Sequence, residues 1–221
     1  QMISVLATML LFLTSQAQKR LVNTANGTIS GVQQNGVVVF KGIPYAQAPV
    51  GSLRWKAPQP VKNWKGVRKC DQFGASAMQT KPVPFMMWTE EFISPPEPLS
   101  EDCLFLNIWT TTTTASEKRP VIVWIHGGGF TGGAGSCAVY DGAGISKMGI
   151  VYVTINYRLG IFGFLAHPEL TKESGGKASG NYGFLDQIEA LKWAKKNIAA
   201  FGGDPSNITI AGQSAGSFSI N

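Results

Sequence analysis

The pentapeptide G-Q-S-A-G at residues 212–216 constrains the fold of this chain more than any other feature. It follows the pattern G-x-S-x-G, and the mostly apolar run I-T-I-A at 208–211 comes directly before it. This context is typical of a nucleophile elbow, in which a buried strand leads into a sharp turn that carries the serine and then into a helix. Glycines suit such a turn because larger side chains would crowd the backbone. The pattern thus predicts a nucleophile at Ser214, with a chance Gly/Ser loop as the alternative.

A second glycine-rich segment decides between these two interpretations. Residues 121–125 (V-I-V-W-I) predict a buried parallel strand, and H-G-G-G-F follows at 126–130. A loop of this kind after a central strand supplies backbone N–H groups to an oxyanion hole. We therefore predict that Gly128, Gly129 and Ala215 donate to the oxyanion. A phosphate-binding loop is excluded because the pattern G-x-x-x-x-G-K-[ST] is absent from the sequence.

Further motifs occur in a fixed order along the chain: K-G-I-P-Y-A at 41–46, L-R-W at 53–55, E-D-C-L-F-L-N-I-W at 101–109, N-Y-R-L-G at 156–160, N-Y-G-F-L-D-Q at 181–187 and F-G-G-D-P at 201–205. From about residue 20 onward, the chain resembles the type-B carboxylesterase family, the cholinesterase-like branch of the α/β-hydrolases. The resemblance implies a serine hydrolase that cleaves small-molecule carboxylic esters through an acyl-enzyme on Ser214. It implies no cofactor and no metal.

The order of the catalytic groups predicts that this chain is only part of a domain. In this fold the serine comes first, followed by the acid and then the histidine. The two histidines, His126 and His167, both precede Ser214. We therefore expect residues 18–221 to be the N-terminal part of a carboxylesterase domain, cut just after the elbow and inactive alone. The alternative is a non-catalytic cholinesterase-like adhesion or partner-binding domain, which a later acid and histidine would exclude.

Apolar runs alternate with one amphipathic segment, which predicts the α/β class. We expect a mainly parallel sheet with crossover helices on its faces. A hairpin is predicted over 20–40, with a tight N-G turn at 35–36. Further predicted strands lie at 104–109, 121–125, 150–155 and 208–211, and a helix at 186–200.

Residues 1–17 have the pattern of a secretory signal peptide. Residues 2–13 are largely apolar but too few to span a bilayer, and S-Q-A at 15–17 fits a small-x-small cleavage site. An uncleaved signal anchor is the alternative. We thus expect a secreted protein, whereas membrane anchoring and oligomeric state stay open.

The cysteines agree with an oxidising compartment. A Pro-rich stretch separates Cys70 from Cys103, and covalent closure stabilises such a loop. The family resemblance implies a Cys70–Cys103 disulfide, with Cys137 free or paired elsewhere. Metal binding is not expected, since no C-x-x-C or H-x-x-x-H spacing occurs. Asn26 and Asn207 begin glycosylation sequons.

Charge does not indicate a nucleic-acid partner. The formal net charge is +6, but the basic residues are scattered, and the densest group fits a solvated helix face.

The family resemblance also implies two structural ion pairs, Arg54–Glu101 and Arg158–Asp186.

Two positions separate this chain from a choline-specific member of the family. The residue before the nucleophile is often glutamate in that family but is Gln213 here. Ile93 stands ten positions before Cys103, where cholinesterases carry a tryptophan, and Trp88 lies five positions further away. A cation–π site and a carboxylate are what a quaternary ammonium needs. We therefore expect a general carboxylesterase.

Overall fold

The computed structural model describes residues 18–176 and 178–221, so the predicted signal peptide at 1–17 lies outside the described residues. The strands are β1 (Gln18–Thr24), β2 (Gly27–Gln34), β3 (Val37–Pro44), β4 (Val67–Lys69), β5 (Ser76–Ala77), β6 (Leu99–Ser100), β7 (Phe105–Thr110), β8 (Arg119–Ile125), β9 (Val151–Ile155) and β10 (Gly203–Gly212). The α-helices are α1 (Ala143–Lys147), α2 (Gly160–Phe164), α3 (Pro168–Glu173), α4 (Tyr182–Asn197) and α5 (Ala215–Ser219).

The main sheet is mixed. Its order is β1-β2-β3-β7-β9-β8-β10, with β4 beside β2. The first five strands of this order (β1, β2, β3, β7 and β9) pair antiparallel with one another. Strand β8 pairs parallel with β9 on one side and with β10 on the other. The predicted α/β class is confirmed, with two of the parallel pairs on either side of β8 and a third between β2 and β4. The tight turn at Asn35 and Gly36, both at positive φ, explains why the neighbouring strands β2 and β3 are antiparallel.

Strands β9 and β10 flank β8 in parallel, and the chain passes from β9 to β10 through the crossover helix α4, as parallel strands require. Helix α4 begins four residues before its predicted start, and a 3₁₀ turn continues it to Phe201. Its buried face includes Asp186, Ala190 and Trp193, so the stripe runs at i, i+4 and i+7. Ile188 is also apolar but is 47% exposed, because it lies off this stripe.

Both predicted ion pairs are present. Arg158 and Asp186 form a fully buried bidentate pair, with Nε–Oδ2 and Nη2–Oδ1 distances of 2.7 Å. The Arg158 backbone N–H also donates to Oδ2 at 3.1 Å. The pair therefore attaches the segment after β9 to helix α4. Arg54 and Glu101 form the second pair, which is partly exposed.

The three cysteines lie in the described part of the chain, and each is a buried free thiol. The structure therefore lacks the Cys70–Cys103 disulfide implied by the resemblance. Burial raises the pKa of Cys70 to about 11 and that of Cys103 further, so both thiols are protonated at neutral pH. Both belong to the main hydrophobic core, which stabilises them without covalent closure.

Within residues 18–176 and 178–221, no helix has both the length and the hydropathy that crossing a bilayer requires.

The buried pair generates a prediction about stability. Asp186→Asn should lower the free energy of unfolding by about 3–5 kcal/mol, because it leaves the Arg158 charge buried without its partner. The control is Glu173→Gln, which removes a charge from the exposed Lys56–Glu173 pair and should cost less than about 1 kcal/mol. Urea unfolding measures both. Equal losses in the two variants would contradict a structural role for the buried pair.

Candidate active site

Ser214 lies in the turn between β10 and α5, in the conformation expected of a nucleophile elbow. Its φ is 53° and its ψ is −121°, and the residue is exposed. Positive φ is a strained conformation for a serine, and it persists because the surrounding backbone is packed tightly. A Cβ atom on Gly216 would lie 2.0 Å from the Ile125 carbonyl oxygen. Only glycine there lets the start of α5 rest on the end of β8.

The predicted glycine loop packs directly against this turn. β10 pairs in register with β8, which places Gly212 opposite Ile125 and brings the two strand ends together. A Cβ atom on Gly127 would lie 3.0 Å from the Ser214 Cβ and 2.5 Å from the Gln213 Oε1. The loop and the serine thus share one edge of the sheet.

Hydrogen bonds orient the two donors in the glycine loop. His126 Nδ1 lies 2.7 Å from the Gly127 carbonyl oxygen, and the Gly132 N–H donates to the Gly128 carbonyl oxygen at 3.0 Å. A trans peptide unit is planar and its N–H points opposite its C=O. Because Gly127 O shares a peptide unit with Gly128 N, and Gly128 O with Gly129 N, both donor N–H groups face away from these contacts.

The third donor is oriented in the same way. The Ser214 carbonyl oxygen accepts from the Phe218 N–H at 3.0 Å, and this oxygen shares its peptide unit with the Ala215 N–H. Across residues 18–176 and 178–221, no group accepts a hydrogen bond from the N–H of Gly128, Gly129 or Ala215. All three are available to a ligand, as an oxyanion hole requires.

Both histidines have structural contacts. His126 is buried, and this burial lowers its pKa to about 4 despite the contact with Gly127, so the ring is neutral at pH 7. Its Nδ1 carries the proton, because a carbonyl oxygen can only accept. The ring stacks on Tyr157 at 4.5 Å, and the Tyr157 hydroxyl donates to the His126 carbonyl oxygen at 2.9 Å. His167 is exposed, and its Nδ1 accepts from the Glu169 N–H at the start of α3.

A cavity of about 530 Å³ joins Ser214 to the glycine loop. Its other wall is formed by residues 79–94 and includes Trp88 and Phe92, whose rings pack edge to face at 5.9 Å. Trp88 thus lines the cavity although it stands five positions before Ile93, which lines it as well. Among the described residues that line the cavity, Lys81 is the only one with a charged side chain, since Glu90 and Glu91 of the same segment are outside its lining.

The two sequons differ in accessibility. Asn26 lies at the turn between β1 and β2, and its Nδ2 donates to Val61 O and to Asn63 Oδ1, both at 3.1 Å. Asn207 is exposed on β10.

The described residues include no group of three or more His, Cys, Asp or Glu side chains that could hold a metal ion.

The sequence profile described as "Carboxylesterase family" matches residues 18–221. The chain belongs to the carboxylesterase family. It is 43% identical over 202 residues to the fumonisin B1 esterase of Sphingopyxis macrogoltabida, covering 91% of this chain and 36% of that protein. It is 46% identical over 202 residues to the para-nitrobenzyl esterase of Bacillus subtilis (strain 168), covering 91% and 39%.

Solved structures confirm the α/β-hydrolase fold of this carboxylesterase chain. A carboxylesterase of Geobacillus stearothermophilus superposes with a TM-score of 0.78 at 47% identity, covering 90% of this chain and 39% of that one. The chain thus spans less than two fifths of the length of these relatives.

The glycine loop generates a second prediction. Gly128 has a φ of 107°, and a Cβ atom there would lie 2.1 Å from the Gly132 carbonyl oxygen. Gly128→Ala should therefore displace the loop and lower kcat for p-nitrophenyl acetate in the whole protein by about 10²–10³-fold, the effect of losing one oxyanion donor. Gly144→Ala in α1, where no atom lies within 4 Å of the new Cβ, is the matched control. Unchanged kcat in Gly128→Ala would contradict the donor assignment.

Proposed function

We propose that the whole protein hydrolyses carboxylic esters through an acyl-enzyme on Ser214. The observation that carries this proposal is the strained, exposed serine in one cavity with the glycine loop. The Gly128, Gly129 and Ala215 N–H groups are oriented beside it and have no acceptor among the described residues. A serine placed in this way has the nucleophile and the oxyanion donors of acyl transfer.

The reaction begins when a base removes the proton of Ser214 Oγ as the oxygen attacks the ester carbonyl carbon. Negative charge moves to the carbonyl oxygen, and the three backbone N–H groups stabilise it, each by roughly 3–4 kcal/mol in the transition state. The alcohol leaves with a proton, and the acyl group stays on Ser214. Water then attacks the acyl-enzyme and releases the acid. The fold's chain order assigns the base to a histidine that follows Ser214.

The rival function, a non-catalytic adhesion domain, is less well supported. Adhesion requires neither a serine at positive φ nor three unpaired N–H groups around it. This chain retains Ser214, Gly128 and Gly129 with the geometry that acyl transfer requires. The contacts that orient the donors serve no purpose at a surface that only binds a partner.

Neutral esters fit the described cavity better than cationic ones. Gln213 stands where a glutamate would attract a cation, and among the described residues that line the cavity the only charged one is the cationic Lys81. Trp88 offers an aromatic face, but a desolvated cation also needs a nearby anion for strong binding. We therefore propose small neutral aryl or alkyl esters as substrates.

We further propose that the protein is secreted, with residues 1–17 as its signal peptide, and that oxidation then joins Cys70 to Cys103. Both thiols lie in one core cluster and flank β3: the Lys41 N–H donates to Cys70 O, and the Tyr45 N–H donates to Leu104 O. Of the sequons, exposure favours a glycan on Asn207 over one on Asn26, whose amide is hydrogen-bonded.

Replacing the nucleophile tests the proposed function. Ser214→Ala in the whole protein should reduce turnover of p-nitrophenyl acetate to the background rate, because no hydroxyl remains to form the acyl-enzyme. Ser217→Ala, the same change one helical turn later, should keep most of the activity. Titration with an organophosphate should label the wild type and the Ser217 variant once per chain. Equal turnover in wild type and Ser214→Ala would refute the assignment.

Substrate charge provides a separate test. Acetylcholine should have no advantage in kcat/KM over its neutral analogue 3,3-dimethylbutyl acetate, because no described anion faces the cavity. Gln213→Glu should raise the ratio for acetylcholine by roughly tenfold, about 1.4 kcal/mol, by placing a carboxylate beside Ser214. Gln59→Glu adds the same charge outside the cavity and should leave the ratio unchanged. A large wild-type preference for acetylcholine would overturn the assignment to neutral esters.

A further inference from the structure

Gln79 connects the aromatic wall of the cavity to the glycine loop. Its Nε2 donates to the Gly133 carbonyl oxygen at 3.0 Å, and its Oε1 accepts from the Gly133 N–H at 2.9 Å. Nε2 also donates to Ala77 O, and Oε1 accepts from the Ser94 hydroxyl, both at 3.1 Å. The side-chain amide thus makes the four hydrogen bonds that its two N–H groups and one oxygen allow.

The residues that Gln79 holds are in contact with the peptide units that carry the oxyanion donors. A Cβ atom on Gly133 would lie 2.6 Å from both Gly127 O and His126 Nδ1, so its backbone rests on that contact. The neighbouring Gly132 N–H is the donor to Gly128 O. Gly127 O and Gly128 O are the two carbonyls whose orientation sets the direction of the donor N–H groups.

We propose that Gln79 is a positioning residue of the oxyanion hole. It holds Gly132 and Gly133 against the carbonyls of Gly127 and Gly128, and in this way keeps the Gly128 and Gly129 N–H groups directed at the substrate. The proposal rests on the proposed function of Ser214 and extends it to the wall at 79–94. Glycines at 132 and 133 have no side chains that could fix their own position, so an external contact has to do so.

Only an amide of this length can form the contact. Gly133 presents a donor and an acceptor, and the amide pairs with both at once. A carboxylate of the same shape has no proton for Gly133 O or Ala77 O, and a thioether has no proton to donate and is only a weak acceptor. Gln79→Glu and Gln79→Met therefore change the hydrogen bonds with little change in volume.

The kinetic test uses both variants in the whole protein, with rates normalised to the number of titrated serines. We expect kcat for p-nitrophenyl acetate to fall about 10-fold to 100-fold with KM nearly constant, because misplaced donors act mainly on the transition state. The Ki of a trifluoromethyl ketone, which forms a tetrahedral adduct on the serine, should rise by the same factor. Gln59→Met, at an exposed glutamine with one side-chain contact to backbone, should match the wild type.

The pH dependence separates positioning from general damage. In Gln79→Glu the carboxyl group regains a proton as pH falls and can donate to Gly133 O again. The ratio of variant to wild-type kcat should therefore rise at acidic pH for Gln79→Glu but stay level for Gln79→Met. A merely structural defect would lower the number of titrated sites and leave kcat per site unchanged.

Hydrogen exchange gives a readout that does not depend on ester hydrolysis. The Gly133 N–H loses its acceptor in Gln79→Met, so peptides that cover 127–133 should exchange faster than in the wild type. Unchanged kcat per site, Ki and exchange in active variants would overturn the positioning role alone. If wild type and Ser214→Ala hydrolyse esters equally, the proposed function fails, and the oxyanion role of Gln79 fails with it. If Gln79→Met does not fold, the near-isosteric Gln79→Glu carries the same measurements.

Discussion

The site depends on a backbone contact in which no side chain takes part. Gly216 lies so close to the Ile125 carbonyl oxygen that a Cβ atom would come within 2.0 Å of it. Because that space is empty, the first turn of α5 can rest on the end of β8, where the glycine loop begins. The Ala215 N–H from one segment and the Gly128 and Gly129 N–H groups from the other therefore surround the same serine. A larger residue at 216 would separate the nucleophile from two of its donors.

The three N–H groups that we propose as oxyanion donors are oriented by contacts within the chain. Each belongs to a peptide unit whose carbonyl is already hydrogen-bonded: to His126, to Gly132 or to the Phe218 N–H of α5. Donors fixed in this way need no reorganisation when negative charge develops, which is the main source of their effect on rate. The fold stabilises this arrangement elsewhere, through the buried Arg158–Asp186 pair and the packing that keeps Ser214 at positive φ.

The parts of the candidate site that depend on the local backbone could be predicted from the sequence. The elbow and the glycine loop were predictable because glycines at 127, 128, 212 and 216 mark places where the chain contacts itself closely. The antiparallel hairpin of β2 and β3 was predictable from the N-G turn at 35–36. The antiparallel pairs of β7 with β3 and β9 were not, since strand direction there depends on contacts between distant residues. Trp88 and Gln79 were missed because residues 79–94 have neither the period of a helix nor that of a strand. The spacing of Cys70 and Cys103 likewise could not predict whether the two thiols are free or joined in a disulfide.

The contacts by which His126 would orient the proposed oxyanion hole also prevent it from acting as the base. A general base works best with a pKa near the operating pH, and burial lowers that of His126 to about 4. Its Nδ1 proton is already donated to Gly127 O, and its ring is held flat against Tyr157. Releasing the ring to accept a proton from Ser214 would free the Gly127 carbonyl and misdirect the Gly128 N–H. The proposed proton transfer and the proposed oxyanion stabilisation therefore require different residues, and the contacts of His126 suit only the second role.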